Sequence, residues 1–153
     1  MHRQLPRYPR VVALFILLPL LSMFSGCNGS AAAPSQFSSA EAAYETARQA
    51  FEKQDYAAAE AAVKTSLESG TLQPDLVESA LLLRARSYIQ LGKLQDADTE
   101  LQQLQANAAS LDQVWLAIAE LKLKQNNPTS AREAVREALK ANPRLPIPPH
   151  LKP

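Results

Sequence analysis

The sequence predicts an all-α fold of six helices paired into three hairpins that stack as a short array. Three observations lead there. No convincing strand run occurs in the 153 residues. The unit from Trp115 to Pro143, a helix, a turn at Asn126-Asn127-Pro128 and a second helix, finds its residue spacing repeated upstream. Each such unit carries an apolar face on both helices that it cannot bury alone, so copies must stack.

The first helix is expected near Ser39, where Ser38-Ser39-Ala40-Glu41 offers a capping box, with Tyr44, Ala47 and Phe51 at helical spacing. A break at Gln54-Asp55 precedes a second helix with Tyr56, Ala59, Val63 and Leu67 on one side. Gly70 can terminate that helix, and Pro74 is tolerated in the first turn of the next. The third helix, from about Pro74 to Leu91, holds Leu81, Ala85 and Tyr88 in phase, and Gly92 allows the turn into a fourth with Leu94, Ala97, Leu101 and Leu104. Ser110-Leu111-Asp112-Gln113 is a second capping-box candidate, opening a fifth helix with Trp115, Ile118 and Ala119 on one stripe. Asn127 can cap the sixth and Pro128 fits its first position; Ala131, Val135, Ala138 and Leu139 form its apolar face.

The registers agree across hairpins. Ala59 to Ala97 is 38 positions, and Ala97 to Ala131 and Leu81 to Trp115 are each 34. With Leu81, Ala85, Tyr88, Gly92, Leu94, Ala97, Leu101 and Leu104 in the second hairpin, and Trp115, Ile118, Ala119, Ala131, Val135, Ala138, Leu139 and Pro143 in the third, residues 40–143 resemble the tetratricopeptide (TPR) repeat family. The first hairpin is looser: it lacks a turn glycine and adds four residues before the next. Lys122 stands where the family usually has a bulky aromatic. The resemblance implies a short right-handed superhelix whose inner face binds a peptide or helix. Small residues Ala85, Ala97, Ala119 and Ala131 are expected at the hairpin crossings, where close approach needs them. A generic amphipathic bundle accounts for the periodicity but not for the shared register.

Ahead of the helices the chain is laid out differently. Arg3, Arg7 and Arg10 precede the apolar run from Val11 to Phe24, and Ser25-Gly26-Cys27 follows, the three-part layout of a secretory signal. The run covers 14 residues and includes Pro19, short of the roughly 20 that a membrane-spanning helix needs. Phe24-Ser25-Gly26-Cys27 resembles the lipobox of bacterial lipoproteins, with Phe24 in place of the usual leucine. That resemblance implies removal of residues 1–26 and a lipid on Cys27, and Asn28 after it resembles lipoproteins sorted to the outer membrane of a Gram-negative envelope. Alternatives are cleavage after Ala33 in Ala31-Ala32-Ala33, or a buried free thiol, against which stands the polar setting of Cys27. As the chain's single cysteine, it has no partner for an intramolecular disulfide. The stretch 27–38, rich in Ser, Ala and Gly, reads as a tether; 39–143 is the repeat domain and 144–153 a proline-rich tail.

Composition excludes several function classes. Taking the three leader arginines from the formal +1 leaves −2, so the body has no basic stripe for nucleic acid. Gly70 and Gly92, the two glycines of the body, have no glycine neighbours and make no phosphate-cradling loop. His2 lies in the leader and His150 in the tail. Glu60, Glu68, Glu133 and Glu137 read as solvated helix positions with pairs such as Glu133 to Arg136, and no serine sits in a nucleophile elbow. The expectation is a non-enzyme with no catalytic residue, metal, cofactor or small-molecule substrate.

For the binding face, Leu82, Arg86 and Ile89 correspond to Leu116, Glu120 and Leu123, each 34 apart. They suggest an apolar groove flanked by Arg86 and Glu120 that receives an amphipathic helix or extended segment. The competing reading packs Leu82 and Leu116 between neighbouring hairpins. Trp115 is expected in the core rather than as a ligand platform. In the tail, proline density disfavours helix, and Leu145, Ile147 and Leu151 are expected to cover the last helix; a proline ligand for another protein is the alternative. The functional expectation is a lipid-anchored scaffold that binds another envelope protein, in assembly of an outer-membrane secretion, pilus or polysaccharide-export machine. Its alternatives are a soluble periplasmic adaptor or chaperone and an accessory subunit of an envelope enzyme.

Overall fold

A computed structural model describes residues 38–152. The leader, Cys27 and the tether as far as residue 37 lie outside the described residues. The rest is all-α: α1 Ser39–Glu52, α2 Tyr56–Glu68, α3 Pro74–Leu91, α4 Leu94–Asn107, α5 Leu111–Lys124 and α6 Pro128–Ala141, followed by a 3-10 turn at Pro149–Leu151. Consecutive helices pack on one another, and α3 also meets α5 and α1, so the pairs α1-α2, α3-α4 and α5-α6 form successive layers. No helix among the described residues is long and apolar enough to cross a membrane.

The three hairpins turn the same way for the same local reason. The chain reverses through a left-handed residue at Gln54 (φ 63°), Gly92 (φ 76°) and Asn126 (φ 57°), separated by the 38 and 34 positions of the alanine register. The first hairpin therefore lacks a turn glycine yet keeps the turn conformation, held by Gln54 at an energetic cost that glycine would avoid. Asp55 and Asn127 then cap the outgoing helices, accepting from the Ala58 and Ser130 N–H groups.

The crossings are made by paired alanines twelve residues apart. Ala47 with Ala59, Ala85 with Ala97, and Ala119 with Ala131 are all buried. Beside them Val63, Leu101 and Val135 occupy one equivalent position, also buried. The core divides by layer. Ala40, Ala47, Val63, Leu72 and Ala80 join α1, α2 and α3; Ala85, Ile89, Leu101, Val114, Ala117 and Leu121 join α3, α4 and α5; Leu116, Ala119, Val135, Ala138, Leu145 and Leu151 join α5, α6 and the tail. Ser66 is fully buried without strain, because its hydroxyl donates to the Ala40 carbonyl at 2.7 Å.

Several local expectations need correction. The capping box at Ser38 and Glu41 forms, but Ser110 makes no side-chain cap. Glu78 of α3 reaches over instead and accepts from the N–H groups of Ala109 and Ser110 at 2.8 and 2.9 Å. Helix α5 has two apolar faces rather than one stripe, Val114, Ala117 and Leu121 toward α3 and α4 and Leu116 and Ala119 toward α6, since a middle helix in a stack has a neighbour on each side. In α6 the ion pair joins Glu137 to Lys140 at 2.6 Å, not Glu133 to Arg136. The tail is not wholly extended: it closes one 3-10 turn, with the Leu151 N–H donating to the Pro148 carbonyl at 3.0 Å.

Candidate functional site

Of the residues expected to line a groove, Leu82, Arg86, Ile89 and Glu120 fall on the seam between the second and third layers, and Leu116 and Leu123 inside the third. Ile89 is fully buried, and Leu116 and Glu120 are each 6% exposed, so these three do not line an open groove. Leu82 packs against the middle core and Leu123 against the last one, both partly buried. Leu116 and Leu123 are taken up inside the last hairpin with α6 and the tail, whereas Ile89 is buried, and Leu82 partly buried, in the core that α3 and α4 share with α5.

Arg86 and Glu120 meet across that seam as a two-point pair, with Arg86 Nε donating to Glu120 Oε2 at 3.2 Å and a second bond through Nη2. A fork of this kind fixes register as well as charge. The Arg86 guanidinium also lies 5.8 Å from the centre of the Phe51 ring, so one side chain links all three layers. From the tail, His150 Nε2 comes to 4.0 Å of Glu120 Oε1. The histidine read from the sequence as remote is thus brought beside the buried carboxylate. Among the described residues no group of three His, Cys, Asp or Glu side chains is arranged to hold a metal ion.

Other charges reinforce the layers. Arg84 grips Glu100 of α4 through Nε at 2.9 Å and Nη2 at 2.6 Å, and this bonding raises the arginine pKa still further. Lys93 pairs with Glu60 of α2 at 2.7 Å, and Lys122 of α5 with Asp98 of α4 at 3.6 Å. The Glu60 bond raises the Lys93 pKa, and burial raises that of Tyr88. Glu60, assigned from sequence to a solvated face, therefore bridges two hairpins. No local sequence signal marks these pairs; the shared 34-residue register could have flagged Arg86 with Glu120.

With the inner seam filled, two concave features stand out. One, of about 350 Å³, lies between the start of α3 and the end of α4, lined by Val77, Leu81, Gln103, Leu104 and the bonded carboxylates Glu78 and Glu100. The other, of about 370 Å³, lies on the outer side of α6 beneath the tail, with Val135, Leu139, Ile147 and Leu151 as its floor and Arg132, Arg136 and Lys152 around it. Trp115 is partly buried in the last core and also borders a smaller depression with Ile118 and Lys122. Comparison of the chain with protein families, with curated proteins and with solved structures finds no match.

Proposed function

We propose that the protein is a non-enzymatic scaffold of TPR type, held to the outer membrane by a lipid on Cys27, that binds another envelope protein during assembly of a secretion, pilus or polysaccharide-export machine. The observation that carries the scaffold part is the repetition itself. Three hairpins use equivalent left-handed turns, equivalent alanine pairs and equivalent core positions, which is the construction of a stackable array. The polar side chains inside that array are occupied with one another: Arg84 with Glu100, Arg86 with Glu120, Ser66 with the Ala40 carbonyl. Groups committed to holding helices together, within a layer in the first and last of these contacts and between layers in the pair of Arg86 and Glu120, support a structural role for the interior and leave binding to the outer surfaces.

The anchoring part rests on the basic, apolar and small-residue succession that ends in Cys27. Intact-mass measurement of the mature chain tests it. A chain beginning at Cys27 and carrying acyl groups supports the anchor. A chain beginning at Pro34, unacylated, replaces it with a soluble periplasmic adaptor.

A further inference from the structure

The internal layers show how one hairpin accepts the next. In α2 the outward position Glu60 takes Lys93 of the following hairpin, and in α4 the equivalent position, Asp98, takes Lys122 of the one after. Close to each acid lies an apolar residue on the contact face, Val63 and Leu101 respectively, buried by the layer that follows. In α6 the equivalent of Val63 and Leu101 is Val135, but the equivalent of Glu60 and Asp98 is Arg132. The stacking face is repeated while the charge at this one position is reversed; one turn further on, Arg136 stands where α2 has Lys64 and α4 has Gln102.

No hairpin follows α6 in the described chain. The tail covers part of the face, burying Leu145 and Leu151, and leaves Leu139 and Ile147 only partly covered beside the cleft of about 370 Å³. Arg132 and Arg136 are exposed, and neither has an acidic partner among the described residues, Glu137 being paired with Lys140. The surroundings agree: residues 128–152 hold five basic side chains against two acidic, whereas 39–69 hold three against six. The opposite end of the stack shows no such face. Ala42, Glu45 and Gln49 of α1, at the positions where α5 carries Val114, Ala117 and Leu121, are all exposed.

From this we infer that the outer side of α6, completed by Ile147 and Lys152, is the docking face, and that its occupant is an acidic amphipathic helix of a partner protein. The helix lies as a seventh rod on the partly exposed Leu139 and Ile147, above the buried Val135, and places carboxylates against Arg132, Arg136 and Lys152. The reversed charge at Arg132 distinguishes this occupant from a further hairpin of the same kind, and the exposed Ala42, Glu45 and Gln49 of α1 give a second copy of the chain no apolar face with which to dock. The inference rests on the scaffold reading and specifies its partner class.

The test uses the full-length chain and two synthetic peptides of about 18 residues, long enough to populate a helix. Both carry leucines at helical spacing, one flanked by glutamates and the other by lysines, and binding is read by fluorescence anisotropy. The glutamate peptide is expected to bind, the Arg132→Glu, Arg136→Glu variant to weaken it at least about tenfold, and the lysine peptide to bind that variant in its stead. Because both arginines are exposed, the variant should keep its melting temperature; should it not, the milder Arg132→Gln, Arg136→Gln variant should still weaken the glutamate peptide relative to the lysine peptide. Equal binding of both peptides, binding indifferent to these substitutions, no binding of the glutamate peptide, preferential binding to phosphatidylglycerol vesicles, or self-association that the arginine substitutions abolish would each overturn the inference. A partner crosslinked through the α3-α4 cleft would overturn it too, yet leave the scaffold reading standing.

Discussion

Replacing Glu78 with Ala should loosen the start of α5 although Glu78 belongs to α3. Its two carboxylate oxygens accept from the Ala109 and Ser110 N–H groups, at 2.8 and 2.9 Å, just where Ser110 fails to supply a side-chain cap. Loss of an N-terminal cap costs about 0.5 to 2 kcal/mol. Ala109 and Ser110 are exposed, so water replaces the lost acceptor and the lower half of that range applies, about 1 kcal/mol. For a domain of this size that is a fall in melting temperature of about 4 °C. Glu78→Gln keeps an acceptor oxygen but loses the charge, and should cost roughly half as much. The Ala109 N–H bond, the foremost cause, holds the Glu78 pKa below its ordinary 4.5. A depressed folded pKa gives stability that is complete above the unfolded value and disappears as pH falls through the folded one. The difference between wild type and Glu78→Gln should therefore be constant near neutrality and shrink below about pH 4.5. Calorimetry across pH measures it, and amide hydrogen exchange at Ala109 and Ser110 locates it. An unchanged melting temperature with unchanged exchange at those two amides would refute the reasoning.

Gln54→Gly should stabilise the chain by about 0.5 kcal/mol, relief of left-handed strain exceeding the added freedom of the unfolded state, while Gly92→Ala should destabilise it by about 1 kcal/mol; denaturant titration reads both signs. Deleting residues 144–153 should lower stability by about 2 kcal/mol, since Leu145 and Leu151 lose their cover on α6 but the ordering of the tail is also released; an unaltered thermal midpoint would rule out a covering role. Ser66→Ala should cost about 1 kcal/mol by removing the hydroxyl that bonds the Ala40 carbonyl at 2.7 Å, which urea unfolding can detect.

Helix order and most boundaries are legible in the sequence because they depend on local chemistry. Pro74 and Pro128 begin helices, Gly92 ends one, and the capping box at Ser38 forms because all its atoms lie within four residues. The alanine pairs are legible for a related reason: close crossing demands a small side chain at a fixed position in every copy. What depends on the next layer is not legible. Leu82 and Ile89 share a helix face by spacing alone, but whether that face meets solvent or a neighbour is decided by how the hairpins stack, and stacking buries Ile89 completely. The cap on α5 escaped for the same reason, because Glu78 lies 32 residues before Ser110 and competes successfully with the local serine. His150 looked remote in a proline-rich tail, and only the return of the tail along the last hairpin brings it to Glu120.

The second and third layers meet through Arg86 and Glu120, which closes the inner seam and leaves the outer side of α6 as the proposed docking face. A double-mutant cycle on Arg86→Met and Glu120→Gln, followed by equilibrium unfolding, tests that contact most directly. It should give a coupling of about 1 to 3 kcal/mol between residues 34 apart in sequence, because Glu120 is almost wholly buried and is held at two points. A coupling below about 0.3 kcal/mol would mean that the two side chains do not touch, and that the hairpins are not layered in this order.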